Sequence, residues 1–525
     1  MRRLRRREGA PPGAGARVEK ATTWSLLLLA AVGIGNYFGF DTRTLVEREE
    51  FDGYDLVHYY LNAKYFDELG YTHLYEAIVI ADSERKDNYR KWRFTALRDL
   101  DTSVRVPIRT VYARADEIKG LFSPPRWKQF KRDFRFLQRT IKRKSQERLL
   151  NDHGYNGPPF LQSFAGFITN RVPVERVKLL CHLETLLILV MFVVVYRTYG
   201  TRVLALSVLW FTVDFSARWP GIGYGIFRLD WFVALVIACC LMKGTDADAP
   251  TNRQKWRAIG AGVLVAWATM MKIFPIVWLF GMGARGLWLL VARRRLDPVA
   301  VRLLAGFLVA SAVFAGVSYR AVGMRNIEEF AEDISEHLQP MNLSQQRMGF
   351  GIALSYRGEY EGGFSGMNAM HRKWELVGEL KTLRYGIGLV ALFLLGMTIR
   401  SASSASPGAR TEPDDATHLG FIPFYFLMIA SHYYWIHRMT ALLHHAKYSD
   451  ERPDHLIGLA LLFAIDAMSN YVDRATHFRY AVTGLTSVSL GLYCAWVIGN
   501  RLWRTLRQPP ALPQSEPASP SPEAA

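Results

Sequence analysis

"TTWSLLLLAAVGIGNYFGF" occupies residues 22–40 and is an apolar run without a charged side chain. An α-helix needs about 20 apolar residues to cross the hydrocarbon core of a bilayer, so the run predicts a membrane-spanning helix. The basic start of the chain, "MRRLRRRE", predicts that the N-terminus stays in the cytoplasm, because Lys and Arg are enriched on that side of membrane spans. We interpret the run as an uncleaved anchor rather than a signal peptide, since no small-x-small cleavage site precedes the acidic residues that follow.

The composition extends this interpretation to the rest of the chain. The 525 residues are 50% hydrophobic and include 30 Phe, 24 Tyr and 14 Trp. Several further windows of about 20 residues carry few or no charges, which predicts an all-α polytopic membrane protein rather than a string of soluble domains. Much of the net charge of +18 lies in short segments between apolar runs. There it orients membrane spans, and we expect no nucleic-acid partner.

The order of the apolar runs predicts about 10–12 transmembrane helices, with both termini in the cytoplasm of a cell and the chain in its inner (plasma) membrane. Two long hydrophilic segments are expected to be extracytoplasmic loops. The expected organisation is a basic cytoplasmic N-terminus (1–21), a first span (22–40), a first loop (41–176), further spans (177–318), a second loop (319–382), C-terminal spans (383–500) with a cytoplasmic linker (400–417), and a disordered cytoplasmic tail (501–525).

An acidic, aromatic-rich stretch, "FDGYDLVHYYLNAKYFDELG" (51–70), begins shortly after the first span. As an α-helix it would place Asp55, Tyr59 and Asn62 near one face, and Gly70 would end it. A carboxylate held against aromatic rings outside a span can act as a general base. Asp52 is the alternative base, since it lies three residues earlier on nearly the same face. The stretch is equally compatible with a surface helix that carries solvated acids.

Candidate cations interrupt two membrane runs. Lys272 lies in "ATMMKIFPIVWLFG" (268–281), where Pro275 breaks the helix. Such a lysine either faces an anion or extends to an interface. The broken stretch "VDFSARWPGIGYGIFRLD" (213–230) also carries ionisable residues. Either its arginines bind a ligand phosphate and Asp230 lines the substrate site, or its acids and arginines pair internally. They are Asp214, Arg218, Arg228 and Asp230.

Polar residues of the two loops could line the same site. "EHLQPMNLSQQRMGFGIAL" (336–354) is dense in hydrogen-bonding groups that suit a hydroxyl-rich ligand, and "NDHGYNGPPF" (151–160) forms a rigid turn that either lines the site or only turns the chain. The candidates in these stretches are His337, Asn342, Arg347 and Tyr155.

A further stretch, "RWKQFKRDFRFLQRTIKRKSQER" (126–148), has an apolar stripe on a basic helix. The stripe consists of Trp127, Phe130, Phe134, Leu137 and Ile141. It predicts either a helix on the outer leaflet, drawn to anionic membrane lipids, or a helix packed on the loop's own domain. The histidines between 431 and 448 are spaced too loosely to predict a metal site, and the adjacent His444 and His445 are expected to point apart.

The order of these features resembles the GT-C class of polyprenyl-phosphate-dependent glycosyltransferases, and glycosyltransferase family 87 in particular. Two departures are the long gap between Tyr75 and Pro158 and the segment Gly225–Asp230, where that family tends to have a Gly-Gln-type segment. The resemblance rests on Asp55, Tyr59, Tyr60, Ala63, Gly70, Leu74 and Tyr75, on Pro158 and Pro159, on Lys272 and Pro275, and on Asn342.

The resemblance implies a GT-C-like helical bundle that moves a sugar, such as a mannose-like one, from a polyprenyl-phosphate donor to a hydroxyl of a glycan or lipid acceptor. It implies an inverting reaction on the extracytoplasmic face, with Asp55 as the base. Lys272, Arg228 and Arg218 would bind the donor phosphate, and Tyr59 and Tyr155 would stack on sugar rings. Side-chain cations would replace a metal, so no metal or other cofactor is expected.

Two other functions fit many spans with buried charges. A transporter or a flippase for lipid-linked sugars would also have broken helices, although the chain shows no two similar halves. A non-catalytic membrane scaffold is the third candidate, and it predicts that replacing Asp55 has no effect.

Overall fold

The computed structural model describes residues 14–40, 51–84, 95–141, 143–152, 154, 156–217, 224–245, 249–337, 339, 344–358, 367–399, 411–476 and 479–507. These residues are overwhelmingly helical. The α-helices up to residue 242 are Ala14–Tyr37, Gly53–Leu56, Phe66–Leu69, Leu74–Ser83, Ile108–Ala113, Ala115–Gly120, Pro124–Gln138, Arg143–Leu149, Pro159–Thr169, Val177–Tyr199, Thr201–Val213 and Asp230–Met242. Those that follow are Asn252–Lys272, Leu279–Arg293, Pro298–His337, Phe350–Ser355, Met367–Glu379, Lys381–Thr398, Pro413–His418, Phe421–Leu427, Met439–Ala446, Pro453–Thr476 and Arg479–Arg507.

The remaining elements are short. Val57–Asn62 is a π-helix, and Val174–Arg176, Phe274–Trp278 and His432–Arg438 are 3₁₀-helices. Two antiparallel strand pairs occur in the described residues: Ala96–Arg98 pairs with Arg105–Pro107, and Arg347–Met348 pairs with Ala430–Ser431. In the second pair Arg347 lies opposite Ser431, which joins the second loop to the C-terminal half of the chain.

The chain is a multi-pass membrane protein. Seven helices in the described part of the chain are long and apolar enough to cross a bilayer: Arg17–Tyr37, Val174–Tyr199, Phe274–Arg293, Pro298–Ser335, Lys381–Thr398, Pro453–Thr476 and Tyr480–Arg507. Thr201–Val213 and Asp230–Met242 are shorter apolar helices. Asn252–Lys272 packs with them, so the bundle has the helical architecture that the sequence predicts.

Lipid-facing and protein-facing sides differ as expected for a membrane bundle. Leucines along Val177–Tyr199 are exposed, for example Leu179 and Leu189, and exposed apolar surface on long helices is suited to acyl chains. Inside the bundle, a Cβ atom at Gly262 would collide with the Leu303 carbonyl, and one at Gly306 with that of Ile259. The two helices Asn252–Lys272 and Pro298–His337 therefore approach closely through small residues, as helices commonly do in membranes.

The first loop folds on itself against the bundle, and its buried residues are continuous with the core of the bundle; this folded part is the loop domain. Trp127, Phe130, Phe134, Leu137 and Ile141 are all buried in the protein core. The prediction that this stripe lies on the outer leaflet is therefore wrong, and the alternative of a helix packed on the loop's domain is right. The sequence pattern shows that one face is apolar, but it does not show what covers that face.

Several segment boundaries differ from the expected ones. The first helix begins at Ala14, eight residues before the apolar run, because a helix can extend beyond the bilayer into polar surroundings. The helix that starts at Pro298 continues to His337, well into the expected second loop, with a non-helical Gly323 (φ 78°) on the way. Residues 413–418 of the expected linker form a buried helix. Residues 501–507 of the expected tail belong to the last helix.

Part of the expected C-terminal spans (383–500) is built from short elements. Phe421–Leu427 has 7 residues and Met439–Ala446 has 8, and a helix rising 1.5 Å per residue would cover only about 12 Å at that length. Their apolar residues are buried among the longer helices. An apolar run shows burial, but it does not separate burial in lipid from burial in protein.

Candidate functional site

The segment that carries Asp55 is an irregular helix. Asp52 caps the turn Gly53–Leu56 and accepts a hydrogen bond from the Tyr54 N–H at 3.1 Å. The chain then continues as the π-helix Val57–Asn62, a form that occurs mostly as single turns and often at functional sites. Because a π-turn holds more residues than an α-turn, the expected common face of Asp55, Tyr59 and Asn62 does not form. Asn62 is fully buried, and its amide has no hydrogen-bond partner among the described residues.

Two predicted site residues form an ion pair. The Arg228 guanidinium contacts the Asp55 carboxylate, and the two side chains are 9% and 26% exposed. The Asp52 carboxylate lies close enough to Arg228 to interact with it electrostatically. Asp55 is thus the better oriented of the two candidate acids, since Asp52 is engaged in the helix cap and exposed.

Glu184 positions Arg228 from the helix Val177–Tyr199. Its carboxylate accepts the backbone N–H groups of Arg228 and Leu229 at 2.9 and 2.8 Å. Phe227, directly before Arg228, has a positive φ of 57°, which is uncommon for residues other than glycine and costs of order 1–3 kcal/mol. The sequence analysis missed Glu184, although an acid within an apolar run was the signal that could have identified it.

Lys272 lies in the same region. Its ammonium donates to the Tyr59 hydroxyl at 3.1 Å and lies 5.0 and 5.7 Å from the ring centroids of Tyr59 and Tyr434. The helix ends at Lys272, and Ile273 adopts φ 59° before the 3₁₀-helix that contains Pro275. The predicted helix break is confirmed. Strained backbone thus stands beside both cations, a feature that tends to cluster at active sites and ligand clamps.

The remaining cations reach this region from the second loop. Arg347 is buried and lies near Tyr433, which also interacts electrostatically with Lys272. Lys373, on the helix Met367–Glu379, donates to the Ser344 carbonyl at 3.3 Å. Burial, helped by the neighbouring Arg347 charge, lowers the pKa of Lys373 to about 7. Arg347 therefore stands beside the aromatic residues that surround Lys272, and Lys373 interacts electrostatically with Arg347 and lies over the Tyr480 ring.

Asp152 extends the polar region on the side of Asp55. It accepts hydrogen bonds from the Tyr54 and Tyr75 hydroxyls, and its carboxylate lies 3.5 Å from His58 Nε2. Burial and the Asp152 charge raise the pKa of Tyr54. The phenol therefore stays protonated and serves as a hydrogen-bond donor.

The structure brings together six of the predicted site residues and leaves others outside. Asp230 is buried and accepts from the Trp267 indole N–H at 3.0 Å, and its carboxylate interacts electrostatically with Lys272. Asp214 pairs internally with Arg438, so the alternative of a purely structural pair is right for that residue. Asp55, Tyr59, Arg228, Asp230, Lys272 and Arg347 surround one region; Arg218, Tyr155, Asn342 and the side chain of His337 lie outside the described residues.

This arrangement has a defined chemical capacity. Cationic side chains from three parts of the chain, set among tyrosine rings, can bind a phosphate and face a sugar ring. A carboxylate beside them can accept a proton. In the part of the chain that the structure describes, groups of three metal-binding side chains occur around His444, at the other end of the bundle.

Comparison with known proteins gives one remote likeness. No family model matches the sequence, and no curated protein matches it. The solved structure of ArnT from Cupriavidus metallidurans in the apo state is similar over 67% of this chain and 69% of its own, at 14% identity and a TM-score of 0.33. At that score the likeness carries no argument about fold or function, and the functional assignment rests on the site.

Proposed function

We propose that the protein is a membrane glycosyltransferase of the GT-C class, which transfers a sugar from a polyprenyl-phosphate donor to an acceptor hydroxyl on the extracytoplasmic face. The observation that carries the proposal is the Asp55–Arg228 ion pair beside Lys272 and Tyr59. A base, two cations and aromatic rings are what this transfer needs.

Asp55 acts as the general base. It takes the proton from the acceptor hydroxyl while the hydroxyl oxygen attacks the anomeric carbon of the donor sugar. The bond from that carbon to the phosphate oxygen breaks, and the electron pair leaves with the polyprenyl phosphate. A single displacement inverts the anomeric configuration, so one base suffices.

Arg228 links the base to the leaving group. In the structure the guanidinium pairs with Asp55. A donor phosphate carries more charge and offers the bidentate geometry that guanidinium prefers, so it competes with Asp55 for Arg228. Donor binding therefore frees the carboxylate to accept a proton at the moment when the substrate is in place.

Lys272 supplies the second positive charge. Its neighbour Asp230 is buried and bonded to Trp267, and this carboxylate holds the ammonium within the region. As the sugar–phosphate bond breaks, negative charge grows on the phosphate oxygens, and preorganised cations stabilise that charge most strongly where water is excluded. Tyr59 and Tyr434, whose rings flank the ammonium, offer faces for the sugar.

The membrane supplies the donor and sets the orientation. The lipid phosphate of a polyprenyl carrier lies at the bilayer surface, and the site lies where spans meet the first loop. With the basic N-terminus in the cytoplasm, this end of the bundle faces outward from the inner membrane and both termini face inward.

The test is sugar transfer by purified full-length protein in lipid nanodiscs, using a panel of labelled polyprenyl-phosphate sugars with glycan and lipid acceptors. We compare wild type with Asp55→Asn and with Asp67→Asn, which removes an exposed acid from the same segment. Loss of a general base costs about 10²–10⁴-fold in rate. We expect that loss only in Asp55→Asn.

Other outcomes would redirect the assignment. Equal turnover in Asp55→Asn and wild type would remove Asp55 from the reaction and leave Asp52 as the base. Movement of a labelled donor across the bilayer without transfer would support the flippase. If no donor is turned over or moved, the proposed function is contradicted.

A further inference from the structure

Three buried histidines meet at the end of the bundle opposite Asp55. His444 and His445 lie on the helix Met439–Ala446, and His455 lies in the first turn of Pro453–Thr476. One ring nitrogen of each lies within 4.8 Å of those of the other two. The rings of His444 and His445 are 5.1 Å apart, and each is 5.1 to 5.2 Å from His455. The expectation that the two adjacent histidines point apart is therefore wrong, because side-chain torsions turn both rings towards His455.

The distances between the nitrogens suit a metal ion. His445 Nδ1 lies 3.2 Å from His455 Nδ1. Two imidazole nitrogens that bind Zn²⁺ at about 2.0–2.1 Å in tetrahedral geometry are roughly 3.3 Å apart. The distance between these two nitrogens is thus close to the distance between two ligand atoms in a tetrahedral zinc site.

His444 and His445 each have a hydrogen-bonded outer partner on one ring nitrogen, and His455 has a carboxylate nearby. Asp415 lies 2.8 Å from His444 Nδ1, and the Tyr493 hydroxyl lies 2.7 Å from His445 Nε2. A carboxylate oxygen of Asp454 lies 3.7 Å from His455 Nε2. Metal-binding histidines almost always use the second nitrogen in this way, since the outer partner fixes the tautomer and orients the ring. Since Asp415 engages His444 Nδ1, Nε2 of His444 remains for a metal, and His445 and His455 present their Nδ1 atoms to each other.

The pocket has room for an ion and a water molecule. These histidines line a cavity of about 50 Å³, and one water needs roughly 10–15 Å³ on the same measure. Two of the basic side chains nearby pair with carboxylates: Lys447 with Asp414 and Asp415, and Arg504 with Asp454. The other two keep their charge beside the pocket: Arg501 donates to the neutral Thr398 and Thr411, and Arg452 lies over the Tyr448 ring.

This pocket is separate from the Asp55 region. The helix Val177–Tyr199 contacts both places: Glu184 binds the Arg228 backbone, and the Tyr199 hydroxyl lies 3.2 Å from Asp414 and 3.3 Å from His418. Fifteen residues of α-helix span about 22 Å. A ligand at the histidines therefore cannot take part in the chemistry at Asp55.

We infer that His444, His445 and His455 bind one divalent transition-metal ion, with Zn²⁺ as the ion that the ligands and their spacing favour, and with water in the fourth position. The ion joins the helices Met439–Ala446 and Pro453–Thr476, which a short turn connects. With three protein ligands and one water, the ion has an open coordination position, and its binding does not depend on the proposed sugar transfer.

The test measures zinc bound to the purified full-length protein in nanodiscs, after removal of any polyhistidine tag, treatment with a chelator and dialysis against Zn²⁺. We expect about one ion per chain in wild type, as for a single zinc site. His455→Ala should lower the affinity by at least about tenfold. His182→Ala, which removes an exposed histidine from a lipid-facing position, should bind as wild type does.

A ligand swap separates metal binding from a merely structural role. His455→Cys should restore zinc binding, because a thiolate is also a zinc ligand, and its Co²⁺ complex should gain thiolate-to-metal charge-transfer absorption. A hydrogen-bonded histidine cluster would not be rescued in this way. Zinc content in wild type no higher than in a buffer blank, or equal content in wild type and His455→Ala, would overturn the inference. If the alanine variant does not fold, the Co²⁺ absorption spectrum of wild type provides the test: a spectrum no different from that of free Co²⁺ would also overturn the inference.

Discussion

Individual residues decide the chemistry at the end of the bundle that carries Asp55. Asp55 and Arg228 were both predicted as site residues, but their ion pair was not, because they are far apart in the chain. The positive φ of Phe227, which helps to place Arg228, is also not indicated by any local sequence pattern. Glu184, which holds that backbone, was missed among its apolar neighbours. Buried polar contacts between distant segments are the features that are hardest to predict from a single sequence.

Replacing Arg228 with Lys tests the role of guanidinium geometry. Lysine keeps the charge but loses the planar fork that binds a phosphate through two N–H groups. We expect the donor KM to rise roughly tenfold, equivalent to about 1.4 kcal/mol, as measured by steady-state kinetics. Arg325→Lys, at an exposed pair with Glu329, is the control. Unchanged kinetics in Arg228→Lys would argue against a phosphate contact.

Lys373 gives the proposed site a dependence on pH. Its pKa of about 7 means that the ammonium loses its charge as pH rises through neutrality. If Lys373 supports donor binding, affinity for the phosphate should fall by up to about tenfold between pH 6 and pH 8, since a hydrogen bond to a charged group contributes about 1.5–3 kcal/mol.

The control for this pH dependence is Lys373→Arg. A guanidinium stays protonated throughout this range, so the variant should bind donor with no such step. Binding measured by calorimetry at a series of pH values checks both proteins. Parallel curves for wild type and Lys373→Arg would exclude Lys373 as the titrating group.

At the scale of elements, long apolar runs were predictable and their surroundings were not. The apolar runs of the long spans correspond to helices, because about twenty consecutive apolar residues match the length that an α-helix needs to cross a bilayer. The stripe on Pro124–Gln138 was visible from its 3-4 spacing, but its burial in the loop domain depends on partners that come from other segments. His455 joins His444 and His445 across a turn, so no spacing rule within one helix could reveal the cluster.

Within the first loop, one buried ion pair joins the helix Pro124–Gln138 to the segment that carries Asp55. Lys64 lies 2.7 Å from Asp133, both side chains are almost fully buried, and the Tyr65 hydroxyl donates to the same carboxylate at 2.9 Å. Asp133→Ala leaves the ammonium without its charged partner. We expect a loss of about 3–5 kcal/mol in the free energy of unfolding, seen as a lower Tm in nanodiscs.

The matched control is Asp116→Ala. That carboxylate pairs with Lys119 on the surface and is 98% exposed, and such pairs contribute about 0–1 kcal/mol. Its Tm should stay close to that of wild type. Equal Tm values for the two variants would show that the buried pair does not stabilise the loop domain.

At the scale of the whole molecule, the two ends of the bundle carry different chemistry. The end that carries Asp55 contains carboxylates, cations and tyrosines from both loops and from the broken helices around them. The other end contains the histidines around His444, on and beside short buried helices. The division follows from helices such as Val177–Tyr199, which reach from one end to the other and hold polar groups near each end.

The most direct measurement of the central claim is the single-turnover rate of Asp55→Asn with donor already bound. If Asp55 is the base, the chemical step should slow at least about 100-fold. Donor affinity should stay the same or rise, because Arg228 no longer pairs with a carboxylate. A chemical step as fast as that of wild type, or an affinity that falls as much as the rate, would contradict the assignment of Asp55 as the base.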